Sequence, residues 1–325
     1  MNRASPLGEF ELIERYCRRP APGALLGIGD DAALLQPAPG QVLTVSSDML
    51  VAGRHFFADV APDKLGHKAL AVNLSDLAAM GAAPRWALLA FALPEAEPAW
   101  LEGLMAGFFA LAGRHGVDLV GGDTTRGPLN LCVTVLGEAP AGEALRRDAA
   151  RAGDELWVSG TLGGAALALR HALGEVALDP VTAARVRARL ELPEPRIALG
   201  LALRGLAHAA IDISDGLAAD LGHILTASGL GATLEWSCLP LEPALQGLDA
   251  ALALRCGLAG GDDYELCFTA PAAQGSAIRA LGERLGLPLT RIGRIEAELG
   301  LRLIDAKGRA MALPARGFDH FASAP

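Results

Sequence analysis

The sequence predicts an α/β protein of two domains, with a mixed sheet in the first. Three observations predict it. Short apolar runs of strand length alternate with longer stretches of helical spacing. Many of those runs adjoin turns built from Gly or Ser beside Asp. A Gly/Pro/Ala/Arg-rich stretch at 137–154 separates two halves, placing the domains at 1–140 and 141–325. A chain of 325 residues suits two domains of ordinary size.

The elements follow in order. Residues 9–18 have helical spacing, with Phe10, Ile13 and Cys17 on one stripe. The turn Gly27-Ile28-Gly29-Asp30-Asp31 leads into a strand at 32–35. A strand at 41–47 delivers Ser46, Ser47 and Asp48 at its end, and 49–57, with Gly53 and His55, reads as a loop or strand edge. A helix over 63–80 carries Leu65, Ala69, Val72 and Leu77 on its apolar stripe and stops at Gly81-Ala82-Ala83-Pro84. Asn73, Ser75 and Asp76 fall in its middle, where they either find partners or face solvent. A strand at 86–93, a helix at 97–115 and a strand at 117–120 follow, the last entering a turn, Gly121-Gly122-Asp123-Thr124-Thr125-Arg126-Gly127. A strand at 129–136 closes the first half.

The second half opens with a strand at 155–159 and a Gly-rich turn at 160–164. Helices follow at 164–173, 180–190 and 196–207. A strand at 210–213 ends in Ser214-Asp215-Gly216, where Ser214 or Asp215 is placed to cap a helix at 217–227. Next come a strand at 232–236, a helix at 242–255, the turn Gly260-Gly261-Asp262-Asp263, a strand at 264–269 and a helix at 272–285. A hairpin of 301–304 with 309–313 ends the fold, and Phe318 and Phe321 sit in a loop-like tail. The Gly-Gly-Asp and Ser-Asp motifs of the two halves fit either an internal duplication or shared α/β turn chemistry.

The net charge is −9 and no basic tract appears, which argues against nucleic-acid and anionic-membrane partners. An anionic substrate remains compatible if metal ions carry the positive charge. Cys17, Cys132, Cys238, Cys256 and Cys267 are scattered and form no CxxC pair, so they read as reduced thiols of a cytoplasmic protein. The N-terminus lacks an apolar signal core, and no apolar run reaches the ~20 residues of a membrane span.

Recurrent Asp beside Gly or Ser points to hard cations and a polyphosphate. Asp31, Ser46, Ser47, Asp48, Asp76, Asp123, Asp212 and Asp215 offer carboxylate and hydroxyl oxygens of the kind magnesium takes. Their placement at strand ends is where α/β proteins put ligands. His and Cys do not cluster, which disfavours a soft-metal site. No P-loop or protein-kinase loop set is present, and the only lysines are Lys64, Lys68 and Lys307. Glycine-turn amides, metals and an arginine, Arg147 or Arg126, would then neutralise a polyphosphate.

These motifs carry a resemblance. Gly27-Ile28-Gly29-Asp30-Asp31, Asp48-Met49-Leu50-Val51-Ala52-Gly53-Arg54-His55-Phe56, the Lys68 to Asp76 segment, the 121–127 turn, Asp212-Ile213-Ser214-Asp215-Gly216-Leu217 and Gly260-Gly261-Asp262-Asp263-Tyr264-Glu265-Leu266 together resemble the thiamine-monophosphate kinase family, almost end to end. That family lies in the superfamily of aminoimidazole-ribotide synthetase. The resemblance implies an N-terminal mixed sheet that forms a barrel across a homodimer, with a C-terminal α/β domain. It implies ATP-dependent phosphorylation of thiamine monophosphate with several Mg2+. By resemblance, Asp31, Ser46, Ser47, Asp48, Asp76, Asp123, Asp212 and Asp215 match magnesium ligands. Gly122, Asp123, Arg147 and Ser214 match ATP contacts, and His55, Asp262 and Phe318 match substrate contacts. Two positions depart from the pattern: Asp262 stands where the family usually has Glu, and Met105-Ala106 stands where some members have a nucleotide-contacting Tyr.

The chemistry agrees with that implication. Two anions must meet, so charge neutralisation is the main requirement. A phosphate monoester has a second pKa of ~6 and needs no general base. The aspartates are therefore assigned to metal binding, with direct in-line transfer and no covalent nucleophile. The nearest rival is another ATP-using enzyme of the superfamily, a cyclo-ligase or selenophosphate-synthetase type. A calcium-binding scaffold would need a contiguous ligand loop, which is absent.

Overall fold

The computed structural model describes residues 8–314. Backbone contacts divide the chain into two compact units, one of Met1–Leu77 with Ala82–Gly142, the other of Ala78–Gly81 with Glu143–Pro325.

The first unit begins with α1 (Glu9–Leu12), which continues as a π-helical turn Ile13–Cys17. Its sheet contains β1 (Gln41–Val51), β2 (Ala83–Leu93), β3 (Asp118–Arg126) and β4 (Asn130–Pro140), in the order β1-β4-β2-β3. Only the β2–β3 pair is parallel, because α3 (Pro98–His115) supplies the crossover between them. α2 (Pro62–Ala79) and α3 carry the core residues Leu65, Leu70, Leu74, Leu101, Leu104 and Phe108, all essentially inaccessible. The two helices approach closely at glycines. A Cβ on Gly66 would overlap the Leu104 carbonyl, and one on Gly107 the Asp63 carbonyl. α3 starts on Glu97, whose carboxylate accepts from the Ala99 and Trp100 amides, and ends at Gly116 with φ +64°.

Several expectations need correction here. Residues 32–35 form only an isolated bridge, Leu34 to Leu26, rather than a strand. The 49–51 stretch belongs to β1, whose eleven residues pair with β4 along their whole length. Gly121 to Arg126 is strand, not turn. β3 runs through it with a register shift opposite Ala87 and Leu88, and Gly122 at φ +148° lies where a side chain would strike the Leu89 carbonyl. Asn73 and Ser75 are fully buried inside α2, so the solvent-facing alternative fails for them.

The second unit holds a seven-stranded mixed sheet in the order β11-β10-β7-β9-β5-β8-β6. Its strands are β5 (Glu155–Ser159), β6 (Ala209–Asp212), β7 (Gly231–Glu235), β8 (Leu266–Ala270), β9 (Leu289–Glu296), β10 (Gly300–Ile304) and β11 (Ala310–Met311). The helices are α4 (Gly164–Ala172), α5 (Pro180–Glu191), α6 (Ile197–Leu203), α7 (Leu217–Ser228), α8 (Ala250–Ala259) and α9 (Gly275–Leu285). Leu156, Val158, Ile211, Ile213, Leu221 and Ile292 belong to one buried apolar cluster. The expected hairpin of β10 and β11 is present, and β10 also pairs in parallel with β7.

β9 has no counterpart in the sequence reading, although it stands between β7 and β5. Its charged residues concealed it. Arg291 is neutralised by Glu235 at 2.9 Å and Glu155 at 3.4 Å, while Ile292 and Ile295 are buried. The helix expected at 242–255 is interrupted: a 3-10 turn Pro243–Leu245 precedes α8, which starts on Asp249. The two Gly-Gly-Asp motifs are not equivalent, since the first lies within β3 and the second precedes β8. No helix among the described residues is long and apolar enough to cross a membrane.

Candidate functional site

In the first unit the period of a strand decides which donors share a face. Consecutive side chains of β1 point to opposite sides of the sheet, so Ser46-Ser47-Asp48 is split. Ser46 Oγ donates to Asp76 Oδ2 at 2.5 Å, which joins β1 to the middle of α2. On the same side, the Asp48 amide donates to Asn73 Oδ1 at 2.9 Å, and Asn73 Nδ2 donates to the Ala69 carbonyl at 3.0 Å. Asn73 and Asp76 inside α2 thus hold the edge strand. Ser47 faces the other way and lies 2.8 Å from Thr134 Oγ1.

That other side opens into a groove of about 1290 Å³, bounded by the N-terminal helix, the 28–35 segment and strands β2, β3 and β4. It gathers Asp30, Asp31, Gly122, Asp123 and Thr134. Asp31 and Asp123 are exposed to it, and Gly29 at φ +136° brings the backbone of the acidic turn against Arg18. His55 lies beyond the end of β1. Its Nδ1 accepts from the Val51 amide at 2.9 Å, which puts the proton of the neutral ring on Nε2. Lys68, buried in α2, donates to the His55 carbonyl at 3.2 Å.

In the second unit two loops are laced together. The Asp262 amide donates to the Ser214 carbonyl and the Tyr264 amide to the Ile213 carbonyl, each at 2.8 Å. Asp262 and Tyr264, at φ +67° and +50°, are the only non-glycine residues with positive φ among the described residues. Backbone strain of this kind persists where surrounding bonds enforce it. The Asp262-Asp263-Tyr264-Glu265 run then divides its acids. Asp262 is half-exposed beside Ser214, whereas Asp263 and Glu265 are buried. Asp263 accepts from the Gly163 amide at 2.7 Å at the start of α4. Glu265 accepts from Ser159 Oγ at 2.6 Å, Arg189 Nη2 at 2.8 Å and Arg196 Nε at 2.7 Å. Burial opposes the charge of Glu265, but Arg196 and Arg189 outweigh it and hold its carboxyl below the usual range. Asp263 has no such excess of cations, and burial pushes it up to about 7.

Asp212 ends β6 and is buried, while Ser214 and Asp215 are half-exposed in the turn before α7. Neither caps α7. The N-cap is Gly216, with no side-chain bond, and Asp220 inside the first turn takes over the role. Its Oδ2 accepts from the Ser214, Asp215 and Gly216 amides at 3.1, 3.0 and 3.1 Å. The sequence reading missed Asp220 and the buried partners of Glu265. An Asp four residues after a Gly-containing turn was the available signal. Arg147 lies exposed at the start of a 3-10 turn, and Phe318 lies outside the described residues.

The donors brought together are carboxylate and hydroxyl oxygens. Among the described residues no three or more His, Cys, Asp or Glu side chains form a ready metal cage. This donor set fits magnesium, which keeps several waters and binds through one or two carboxylates plus substrate phosphates.

Comparison with known proteins identifies the class. Residues 29–139 match the AIR synthase related protein N-terminal domain, and residues 151–306 match the C-terminal domain of the same family. The chain belongs to the AIR synthase related proteins and has their two-domain mixed α/β fold. Within that class it is 46% identical to the thiamine-monophosphate kinase of Salmonella typhimurium, over 97% of this chain and 99% of the relative. The crystal structure of thiamine-monophosphate kinase from Stenotrophomonas maltophilia K279a is 50% identical, with a TM-score of 0.83 over 93% of this chain and 96% of the other. A further solved structure, described as AaThiL complexed with AMPPCP and TMP, is 31% identical and covers 99% of each chain at a TM-score of 0.75. The chain is a member of the thiamine-monophosphate kinase family and an enzyme of the phosphotransferase class.

Proposed function

We propose that the chain transfers the γ-phosphoryl group of ATP directly and in line to thiamine monophosphate, yielding thiamine diphosphate and ADP with the assistance of Mg2+. One observation supports the mechanistic part: the groove offers the hard oxygen donors Asp30, Asp31, Asp123 and Thr134, and the turn before α7 offers Ser214 and Asp215. In the first unit, Asp31, Ser47 and Asp123 on the groove side and Ser46, Asp48 and Asp76 on the helix side would hold magnesium. In the second, Asp212 and Asp215 would do so. When bound, the metal ions neutralise the repulsion between the two phosphate anions.

The remaining roles belong to the chain. Gly122 and Asp123, with Arg147 and Ser214, take the nucleotide. His55, with its proton on Nε2, offers a donor to thiamine monophosphate, together with Asp262 and Phe318. The acceptor monoester, with a second pKa of ~6, is already ionised at neutral pH, so no residue has to remove its proton. The domains are assigned as 1–140 for ATP, magnesium and dimerisation, and 141–325 as the companion α/β domain. A homodimer is part of the proposal, with the long apolar edge of β1 as its support. Five cysteines without a disulfide support a cytoplasmic location.

The test is a turnover assay followed by phosphorus NMR, with magnesium, ATP and thiamine monophosphate. Thiamine diphosphate and ADP are expected only with the monophosphate as acceptor, and only with the divalent ion. A phospho-enzyme intermediate, or equal turnover of unphosphorylated thiamine, would overturn the proposal.

A further inference from the structure

The turn Ile213-Ser214-Asp215-Gly216 has its backbone spoken for on both sides. Its amides at Ser214, Asp215 and Gly216 all donate to one oxygen, Asp220 Oδ2, at 3.0–3.1 Å. Its carbonyls at Ile213 and Ser214 accept from the Tyr264 and Asp262 amides at 2.8 Å. The Ile213 amide in turn donates to the Glu265 carbonyl at 2.8 Å. Three successive amides converging on one point would ordinarily form an anion-binding nest at a helix start. Here a carboxyl oxygen of the chain itself, on a residue 3% exposed, already fills it.

We propose that Asp220 is a positioning residue: by occupying the amide nest at the start of α7 it leaves only the side chains of Ser214 and Asp215 for the nucleotide and its cation. This rests on the reading of that turn as a nucleotide- and magnesium-side contact. A phosphate does not enter the nest. Asp220 Oδ2 satisfies the amides at the positive end of the α7 dipole, so the turn keeps no open amide for a bare phosphate. The same turn is bonded to the Asp262 loop, so its rigidity fixes the spacing between the two loops that the kinase reaction uses in this unit.

Residue-resolved hydrogen exchange on the full chain tests the geometry. The amides of Ser214, Asp215 and Gly216 are expected to be protected in the free protein and to keep the same protection with a non-hydrolysable ATP analogue and magnesium. Amides that exchange freely without ligand and become protected on its addition would overturn the inference, because the nest would then be serving phosphate. Calorimetric titration supplies the second arm. Asp220→Ala is expected to weaken analogue binding about tenfold or more, the range seen for residues that orient a ligand set, and Asp220→Asn to restore most of it. Asp154→Ala removes another buried carboxylate of the same unit, one that bonds His208 and the Arg151 amide. It is expected to lower the melting temperature without weakening the analogue. Equal losses for Asp220→Ala and Asp154→Ala would make Asp220 merely structural. Should the wild type bind no analogue, the functional reading falls, while exchange in the free protein still decides whether Asp220 holds the turn. If Asp220→Ala does not fold, the wild-type exchange result stands as the test.

Discussion

Ser46 on the edge strand β1 donates its hydroxyl proton to Asp76 in the middle of α2, at 2.5 Å. The bond runs from the outermost strand of the first sheet to the helix packed behind it, and it ties down a carboxylate assigned to magnesium. Replacing Asp76 by Asn keeps an acceptor for Ser46 while removing the charge. Asp76→Asn is therefore expected to abolish turnover and to shift stability by no more than ~1 kcal/mol, the scale of one ordinary hydrogen bond. Ser46→Ala, which leaves the carboxylate in place, is expected to be the milder lesion. Steady-state kinetics over a magnesium series, with thermal melts alongside, separate the two. Near-wild-type turnover of Asp76→Asn at saturating magnesium would remove Asp76 from the metal set.

Gly122 provides a sharper steric test. Its φ of +148° and the Leu89 carbonyl facing it leave no room for a Cβ. Gly122→Ala is expected to cost about 1–3 kcal/mol from backbone strain alone, and to disturb the adjacent Asp123. Gly113, in α3, has open space around its Cβ position, and Gly113→Ala is expected to be neutral or stabilising. Chemical denaturation of the two variants makes the comparison. Equal stabilities would mean that the β3 register at Gly122 tolerates a side chain.

Much of this architecture was legible in the sequence because apolar period and glycine punctuation report on local structure. α2, α3, α5 and β5 fall within a residue or two of the expected ranges. The strands at 289–296 and 121–126 escaped for one cause: partners distant in sequence. β9 reads as polar until Glu155 and Glu235 are placed against Arg291. Gly121-Gly122-Asp123 reads as a turn until β2 is laid beside it. For the site, the residue types that supply hard oxygen were visible. The division of Ser46-Ser47-Asp48 between two faces followed from β1 continuing to Val51, which the sequence left as loop or edge. Asp220 was overlooked because it satisfies amides of the turn rather than standing beside a Gly or Ser, so only its spacing of four residues from Gly216 marked it.

The buried acids of the Asp262 loop predict a stability profile with two opposing limbs. The folded-state pKa of Asp263 is raised to about 7 by burial. The folded protein therefore binds more protons than the unfolded chain between about pH 4 and pH 7, and stability falls as pH rises through that window. Glu265 has a depressed folded pKa, so its contribution is present above its unfolded pKa of about 4.3 and is lost as pH falls through the folded value. Maximum stability from this pair is thus expected at about pH 4, where the two limbs cross. Asp263→Asn should flatten the fall between pH 5 and pH 7, whereas Glu265→Gln should destabilise at neutral pH by about 3–5 kcal/mol by stranding Arg189 and Arg196. Urea unfolding across that pH range reads both. A profile of Asp263→Asn parallel to the wild type would show that Asp263 is ionised throughout.

The edge of β1 gives the last prediction. Eleven residues long, it shows Leu43, Val45 and Met49 to solvent at 42%, 61% and 54% exposure within a single protomer. Side chains of that kind on an unpaired edge invite another strand or sheet. Ser46 does not defend that face, because its hydroxyl is bonded to Asp76 of α2, and by the strand's period Asp48 shares the side of Ser46 rather than that of Val45. A second copy of the same sheet is the proposed cover, and each apolar side chain fully buried there would contribute about 1.5–3 kcal/mol. Val45→Lys places a charge at the most exposed of the three, and it is expected to shift the protein from dimer to monomer in sedimentation velocity while leaving each unit folded. Val45→Ile, with added apolar surface, is expected to keep the dimer. If the wild type sediments as a monomer at micromolar concentration, β1 is not the dimer edge. If Val45→Lys remains dimeric, the interface lies on another face of the chain.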